Sequence, residues 1–169
     1  MTPDMTSDMA SRGRANEPTP AAPADRPRQL SRGDFSHFRS FTTRLRDNDM
    51  YGHMNNVVYN EYFDTAVNQT LIELGVLDMN ASKIIGLVVQ TSTSYFSAVG
   101  FPDRLTVGMR VARLGRTSIS YQLALFQEED AMAAAQCDFT HAYVERANNK
   151  PVELPTELRA ALGSYVAKT

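Results

Sequence analysis

The sequence predicts an α+β domain in which a curved antiparallel sheet wraps around one long central helix. One amphipathic helix lies near the start of the folded part, and long alternating strands joined by tight turns follow it. Short links favour antiparallel pairing, because parallel crossovers need a dozen or more residues. One helix cannot cover both faces of such a sheet. The remaining apolar surface and the open edge therefore predict a second copy, in a homodimer or homotetramer.

The first strand and the helix are predicted from their different periods. Phe41, Thr43 and Leu45 alternate with polar neighbours, which is typical of a strand, and an acidic turn follows at residues 47–49. Further along, apolar and aromatic residues recur at three- and four-residue spacing and predict a helix with an Asn N-cap and an end at Gly75. These residues are Tyr59, Tyr62, Phe63, Ala66, Val67, Thr70, Leu71 and Leu74.

The second half of the chain changes to a period of two. Alternating or β-branched segments predict strands over residues 83–98, 104–111, 119–125 and 133–145. Glycine, proline and acidic residues between these segments predict the turns. Residues 155–162 predict a short final helix, which a proline opens.

The N-terminal part of the chain has a different composition. Residues 1–34 hold five of the eight prolines, and Leu30 is their only large aliphatic residue besides methionines. Such a segment buries too little apolar surface to offset the entropy of ordering. We expect a disordered extension over residues 1–34 and a single domain over residues 35–169.

Composition excludes several functional classes. The chain has 169 residues, of which 43% are hydrophobic, and a net charge of -2, so no basic field is available for nucleic acid. No segment has the apolar length of a membrane helix or of a signal peptide core, so we expect a cytoplasmic protein with no membrane partner. A lone cysteine, Cys137, excludes a disulfide framework and predicts a small core residue.

The densest polar cluster lies between the first strand and the helix, at residues 46–56. A calcium loop does not fit, because Tyr51 and Val58 stand where oxygen ligands are required. No second histidine lies at helical spacing from His53, so we expect no metal. The chain also lacks the Gly-x-Ser-x-Gly motif of serine hydrolases and any glycine-rich phosphate loop.

Asp49 lies a few residues ahead of the predicted helix. A helix N-terminus offers unpaired backbone N–H groups and the positive end of the helix dipole, which suit an oxyanion. A nearby carboxylate can activate water or attack a carbonyl itself, so the spacing fits acyl transfer. In the alternative interpretation, Asp49 and Asn55 only cap the helix and Asp47 is solvated in a turn. The spacing leaves both interpretations open.

A resemblance favours the first interpretation. The signature of hotdog-fold acyl-CoA thioesterases in the 4-hydroxybenzoyl-CoA thioesterase superfamily resembles the run Asp49-x-x-Gly52-His53-x-Asn55-Asn56-x-x-Tyr59. The run is also similar to the Asp-x-Asn-x-His-x-Asn-Asn motif of plant acyl-carrier-protein thioesterases, with Tyr51 in place of their asparagine. Segments at 102–107, 114–118 and 141–152 resemble later strands of the same superfamily, so the likeness spans roughly residues 39–162.

The resemblance implies a hotdog fold with active sites between subunits. It implies hydrolysis of an acyl-CoA substrate, with acyl carrier protein as a second possible carrier and no cofactor. Asp49 matches the general base or nucleophile. His53 and the amides near Asn55 and Asn56 match the groups that bind the thioester carbonyl.

Several other residues have two interpretations each. Tyr59 could line the acyl site, although aromatic residues at helical spacing are more often core residues. Arg116 could meet the phosphates of coenzyme A, although charges at a strand rim are usually solvated. His141 has the strand parity of Cys137, which predicts a half-buried, hydrogen-bonded histidine. For these three residues the sequence favours the structural role.

Two competing functions remain to be separated from hydrolysis. Enoyl-thioester hydratases on the same fold resemble Asp-x-Asn-x-x-His, a spacing that Asp49 and His53 do not share. A non-catalytic hotdog module would bind an acyl thioester or a protein partner without cleaving it. Release of free thiol from acyl-CoA distinguishes hydrolysis from binding.

Overall fold

The computed structural model describes residues 27–167. Five strands and two α-helices make up the domain. In chain order they are β1 (His37–Thr42), α1 (Asn56–Glu73), β2 (Ile84–Tyr95), β3 (Arg104–Leu114), β4 (Ser118–Gln127), β5 (Ala135–Glu145) and α2 (Thr156–Ala161). Short 3-10 turns occur at Arg32–Asp34, Leu45–Asp47 and Leu162–Tyr165.

The strands form one antiparallel sheet in the order β1-β3-β4-β5-β2. Register shifts interrupt β2 between Val88 and Gln90, and β3 between Val111 and Arg113. Bulges of this kind bend a strand and increase its twist, which helps the sheet curve around α1. The predicted α+β class, with a curved antiparallel sheet around one long helix, is confirmed.

α1 forms the centre of the domain, and its ends are those that the sequence predicts. The side chain of Asn55 accepts a hydrogen bond from the N–H of Val57 at 3.1 Å, which caps the first turn. Gly75 follows the helix with a φ of 72°, a left-handed conformation that ends it. Seven of the eight predicted apolar-face residues are buried, with Leu74 partly buried at the end. No helix within residues 27–167 has the length and apolarity needed to cross a membrane.

β1 begins at His37, four residues before the predicted start of the first strand at Phe41, and it ends at Thr42. It pairs with β3 over His37–Thr42, whereas Leu45 lies in a 3-10 turn and is 73% exposed. Side-chain hydrogen bonds to the backbone, one distant in the chain and one local, accompany the early end of the strand. The hydroxyl of Thr43 donates to the carbonyl of Asp103 at 2.8 Å, and the carboxylate of Asp47 accepts from the N–H of Arg44 at 2.8 Å. Such bonds compete with sheet pairing.

Residues 28–35, the N-terminal strap, pack on the outer face of the sheet, opposite α1. Leu30 is only 4% exposed, and its N–H donates to the side chain of Gln136 at 2.9 Å. The composition of residues 28–34 predicts a disordered extension, but these contacts attach them to the domain. The strap supplies part of a second apolar cluster, made of Leu30, Phe35, Ala124, Phe126 and Ala133. The predictions for residues 1–26 lie outside the described residues.

β2 is one of the two edges of the sheet, and its exposure is symmetric about its centre. Six exposed residues, 87–92, are flanked by three partly buried residues at each end. Leu87, Val88 and Val89 are 39%, 48% and 61% exposed. An apolar edge of this length is a template for pairing with another chain.

Candidate active site

Backbone hydrogen bonds within the loop between β1 and α1 fix its conformation. An isolated bridge joins Asn48 to Met54, and the N–H of Asp49 donates to the carbonyl of His53 at 2.7 Å. Gly52 has a φ of 82°, a conformation that glycine adopts without steric cost. The loop therefore places Asp49 and His53 opposite each other, just before α1.

The carboxylate of Asp49 is fixed by the amides of this loop. Its Oδ1 accepts hydrogen bonds from the N–H of Tyr51 at 2.8 Å and from the N–H of His53 at 3.3 Å. Within the described residues, Oδ2 accepts no hydrogen bond from a protein donor. One oxygen thus anchors the group, and the other is available to a water molecule or a substrate.

A cleft of about 320 Å³ opens beside this carboxylate. Its walls bring together the predicted residues Asp49, His53, Asn56 and Tyr59, and β2 closes the other side. Tyr95 is a lining residue that sequence reasoning missed. Its hydroxyl donates to the carbonyl of Asn56 at 3.3 Å, and its ring meets Tyr59 edge to face at 5.1 Å. The remaining lining residues are Phe96, Ser97 and Ala98.

The start of α1 faces the same cleft. Within the described residues the N–H of Asn56 has no acceptor, so it is available to a ligand. The side-chain oxygen of Asn55 is instead used as the helix cap. The capping interpretation is therefore right for Asn55, whereas Asp49 accepts its hydrogen bonds from loop amides and not from the helix.

Asp47 connects this loop to α1 by hydrogen bonds. The alternative interpretation placed it in solvent, but it is only 2% exposed, and its carboxylate accepts a hydrogen bond from the Tyr62 hydroxyl at 2.6 Å. Its backbone carbonyl accepts the N–H of Asn55 at 2.9 Å. Burial alone would raise the pKa of Asp47, but hydrogen bonds from Tyr62 and Arg44 and the positive charge of Arg44 hold it below the usual 3.8.

Arg116 lies at the other end of the sheet. It belongs to the turn between β3 and β4. Its side chain is 77% exposed and forms an ion pair with Glu153 at 3.0 Å. That turn adjoins the C-terminal end of β5, whereas Tyr95 pairs with Ala135 at the N-terminal end of the same strand. Within one protomer, the structure does not bring Arg116 to the cleft.

His141 is fully buried, at 2% exposure, and its Nδ1 has no hydrogen-bond partner. The prediction of a half-buried, hydrogen-bonded histidine is therefore wrong. The ring lies among Phe139 and Tyr143, which point to the same face of β5, and Tyr121 on the neighbouring strand β4. Burial lowers its pKa to about 4. Cys137 is 1% exposed, as expected of a small core residue.

Solved structures share this fold. The PA5185 protein from Pseudomonas aeruginosa is 48% identical, with a TM-score of 0.81 over 83% of this chain and 99% of its own. Slr0204, a 1,4-dihydroxy-2-naphthoyl-CoA thioesterase from Synechocystis, is 18% identical, with a TM-score of 0.68 over 74% of this chain and 93% of its own.

The hypothetical protein SAV2348 from Staphylococcus aureus, solved in complex with CoA, is 18% identical. Its TM-score is 0.68 over 76% of this chain and 82% of its own. At this identity the likeness of Slr0204 and SAV2348 shows the fold alone. No curated protein sequence matches the chain significantly.

The family comparison covers most of the domain. The family model described as the thioesterase-like superfamily matches residues 43–162, a range that includes the loop of Asp49, all of α1 and the strands from β2 to β5. The chain therefore belongs to the thioesterase-like superfamily and has its hotdog fold.

Proposed function

We propose that the protein hydrolyses acyl-CoA thioesters in the cleft beside Asp49. The observation that supports this most is the position of the Asp49 carboxylate. One oxygen is held by two loop amides, and Asn56, whose N–H has no acceptor within the described residues, lines the same cleft at the start of α1. A fixed base and a fixed amide donor on one cleft are the two groups that acyl transfer needs.

In the proposed reaction, Asp49 removes a proton from water as the water oxygen attacks the thioester carbonyl carbon. The carbonyl oxygen becomes an oxyanion, which the N–H of Asn56 and the side chain of His53 stabilise. The intermediate collapses with cleavage of the carbon–sulfur bond. The CoA thiolate leaves and takes up the proton, and the free acid remains.

Asp49 could instead attack the carbonyl directly and form an anhydride that water then opens. A single turnover in water labelled with oxygen-18 separates the two routes. Direct attack followed by hydrolysis of the anhydride at the Asp49 carbonyl places the label in the Asp49 carboxylate, whereas the general-base route places it only in the product acid. The half-buried carboxylate with one unoccupied oxygen is compatible with either route.

Coenzyme A is the acyl carrier that we favour. SAV2348 was solved with CoA bound, and Slr0204 is a CoA thioesterase. Thioesters of acyl carrier protein carry the same reacting group, so both carriers belong in the assay.

The proposed active unit is a homodimer formed through β2. This edge strand is longer than β1 and exposes three consecutive aliphatic residues at its centre, Leu87, Val88 and Val89. Its exposure is symmetric, as a two-fold interface between identical strands requires. Pairing two copies of β2 covers both the apolar side chains and the open backbone groups.

The experiment measures thiol release from a panel of acyl-CoA and acyl-carrier-protein thioesters. We expect the wild-type protein to release thiol and Asp49→Asn to be slower by about 100- to 10,000-fold, since this is the usual contribution of a general base. Asp78→Asn is the matched control, because Asp78 also accepts two loop amides, at 2.8 and 2.9 Å, but lies away from the cleft.

Two outcomes contradict the proposal. If Asp49→Asn retains the parent rate, Asp49 is not the base or nucleophile. If the wild-type protein binds acyl thioesters but releases thiol from none of them, the chain is the non-catalytic module.

A further inference from the structure

The N-terminal strap is seated on the outer face of the sheet by contacts at both of its ends. At one end the ring of Phe35 packs on Gly108, where a Cβ would lie 2.8 Å from the ring, and meets Phe126 edge to face at 6.0 Å. At the other end Leu30 is buried and bonds to Gln136. Because Gly108 leaves the space that the ring occupies, the strap is a built part of the domain.

Gln136 holds the first residues of the strap with both ends of its side-chain amide. Its Oε1 accepts the N–H of Leu30 at 2.9 Å, and its Nε2 donates to the carbonyl of Arg28 at 3.1 Å. Gln136 is only 8% exposed. Its amide bonds to one donor and one acceptor of the strap backbone, as a neighbouring strand would. Loss of this side chain therefore leaves two backbone groups without their partners.

Ala133 is held by the same part of the strap. Its N–H donates to the carbonyl of Leu30 at 2.9 Å, and its carbonyl accepts a hydrogen bond from the side chain of Gln29 at 2.8 Å. The strap thus fixes the chain both before and after Ala134. The N–H of Ala134 itself donates to the carbonyl of Leu125 on β4 at 2.7 Å. The position of Ala134 is therefore set jointly by β4 and by the strap.

The carbonyl of Ala134 anchors one wall of the cleft. It accepts two hydrogen bonds, from the N–H of Phe96 at 2.8 Å and from the N–H of Ser97 at 3.2 Å, and both donor residues line the cleft. Two residues further on, the carbonyl of Val99 accepts the N–H of Met54, in the loop between β1 and α1, at 2.7 Å. The wall belongs to no strand or helix, so its position depends on these two anchors.

We propose that Gln136 and the strap are positioning elements of the active site: by holding the chain around Ala134, they fix the wall of the cleft formed by Phe96 and Ser97. The inference rests on the proposed function, because it gives this wall the task of binding the acyl thioester beside Asp49. Gln136 itself touches no reacting group. The strap thereby connects the N-terminal part of the chain, on the outer face of the sheet, to substrate binding beside α1.

The first test separates a positioning role from a purely structural one. Gln136→Leu approximates the size of the side chain but removes both bonds to the strap. We expect KM for acyl-CoA to rise about tenfold with kcat nearly unchanged, because the wall binds substrate and carries no reacting group. Tenfold corresponds to about 1.4 kcal/mol, the scale of one or two hydrogen bonds. If Gln136 were only structural, the variant would lower the amount of active protein and leave KM unchanged.

Two further variants accompany this measurement. Gln122→Leu is the matched control, since Gln122 also bonds twice on the outer face, to Arg110 and Asp138, but does not touch the first residues of the strap. Its KM should equal that of the wild-type protein. Gln29→Ala removes only the bond to Ala133 from a half-buried side chain, so the core is undisturbed. It should raise KM by a smaller factor, about threefold, since one hydrogen bond is lost rather than two.

The second test measures the wall directly and needs no activity. In Gln136→Leu, hydrogen exchange at the amides of Phe96 and Ser97 should accelerate by about tenfold more than at the amides of α1, because a loosened acceptor lets these bonds open more often. General destabilisation would instead accelerate exchange in α1 by the same factor. Gln122→Leu should leave exchange at both amides as in the wild-type protein.

The outcomes distinguish this inference from the proposed function. A wild-type protein that releases thiol from no acyl thioester contradicts the proposed function, whatever the exchange rates are. An active Gln136→Leu protein with the wild-type KM overturns the inference and leaves the hydrolysis intact. Wild-type exchange at Phe96 and Ser97 in this variant overturns it as well, because the strap then does not hold the wall.

Discussion

The hydroxyl of Tyr62 donates a 2.6 Å hydrogen bond to the buried carboxylate of Asp47, and this pair joins α1 to the loop that carries Asp49. Asp47 in turn accepts the N–H of Asn55 at its carbonyl, so it also fixes the start of the helix. Asp49 follows two residues later. The position of the proposed base therefore depends on a contact inside the domain.

Tyr62→Phe should destabilise the domain by about 1–3 kcal/mol, because it leaves a buried carboxylate short of one donor. Urea unfolding measures the loss, and Tyr51→Phe, at a tyrosine that is 78% exposed, is the control. The Tyr62 bond also lowers the pKa of Asp47, so its stabilisation is lost as pH falls below the usual 3.8. Equal losses for Tyr62→Phe at pH 7 and at pH 3 would count against this role.

His53→Ala tests the proposed carbonyl contact. His53 is exposed at the mouth of the cleft, and its backbone, which holds Asp49, is unchanged by the substitution. We expect kcat to fall about 100- to 1000-fold, the usual effect of losing one oxyanion donor, with the fold unchanged by circular dichroism. His37→Ala, outside the cleft, is the control. A His53→Ala protein with nearly full kcat would remove His53 from the mechanism.

The sequence predicts those parts of the fold that depend on local period. α1, its Asn55 cap and its Gly75 end follow from spacing and caps within one segment. Asp49, His53, Asn56 and Tyr59 meet because they occupy one loop and the first turns of one helix. Contiguous residues of this kind can be assigned to a site before any tertiary structure is known.

The features that the sequence misses depend on contacts between distant segments. β1 ends early because Thr43 bonds to Asp103, sixty residues away in the chain. Tyr95 reaches the cleft through the topology of the sheet, which no local pattern encodes. Leu30 lies in a proline-rich segment, and its hydrogen bonds to Gln136 and Ala133, distant in the chain, attach this segment to the domain.

His141→Phe should change how stability depends on pH. Because the folded pKa of about 4 lies below the usual 6.5, the unfolded chain binds the proton first and stability falls as pH drops through this window. The contribution of His141 to the wild-type loss should be roughly 2 kcal/mol between pH 7 and pH 4.5, at about 1.4 kcal/mol per pKa unit. Unfolding at pH 7 and at pH 4.5 should show a smaller loss for His141→Phe, and His37→Phe should keep the wild-type dependence. An unaltered loss in His141→Phe would assign it to other groups.

The proposed dimer makes a prediction for the edge of the sheet. Val89 is 61% exposed at the centre of β2, and a lysine there places two like charges across the two-fold axis. Val89→Lys should therefore convert the protein to monomers, measured by light scattering, and should lower thioesterase activity because the proposed active unit is the dimer. Ser40→Lys, at an exposed position of the other edge strand, β1, should remain dimeric and active. Dimers that persist in Val89→Lys, or monomers produced by Ser40→Lys, would place the interface elsewhere on the domain.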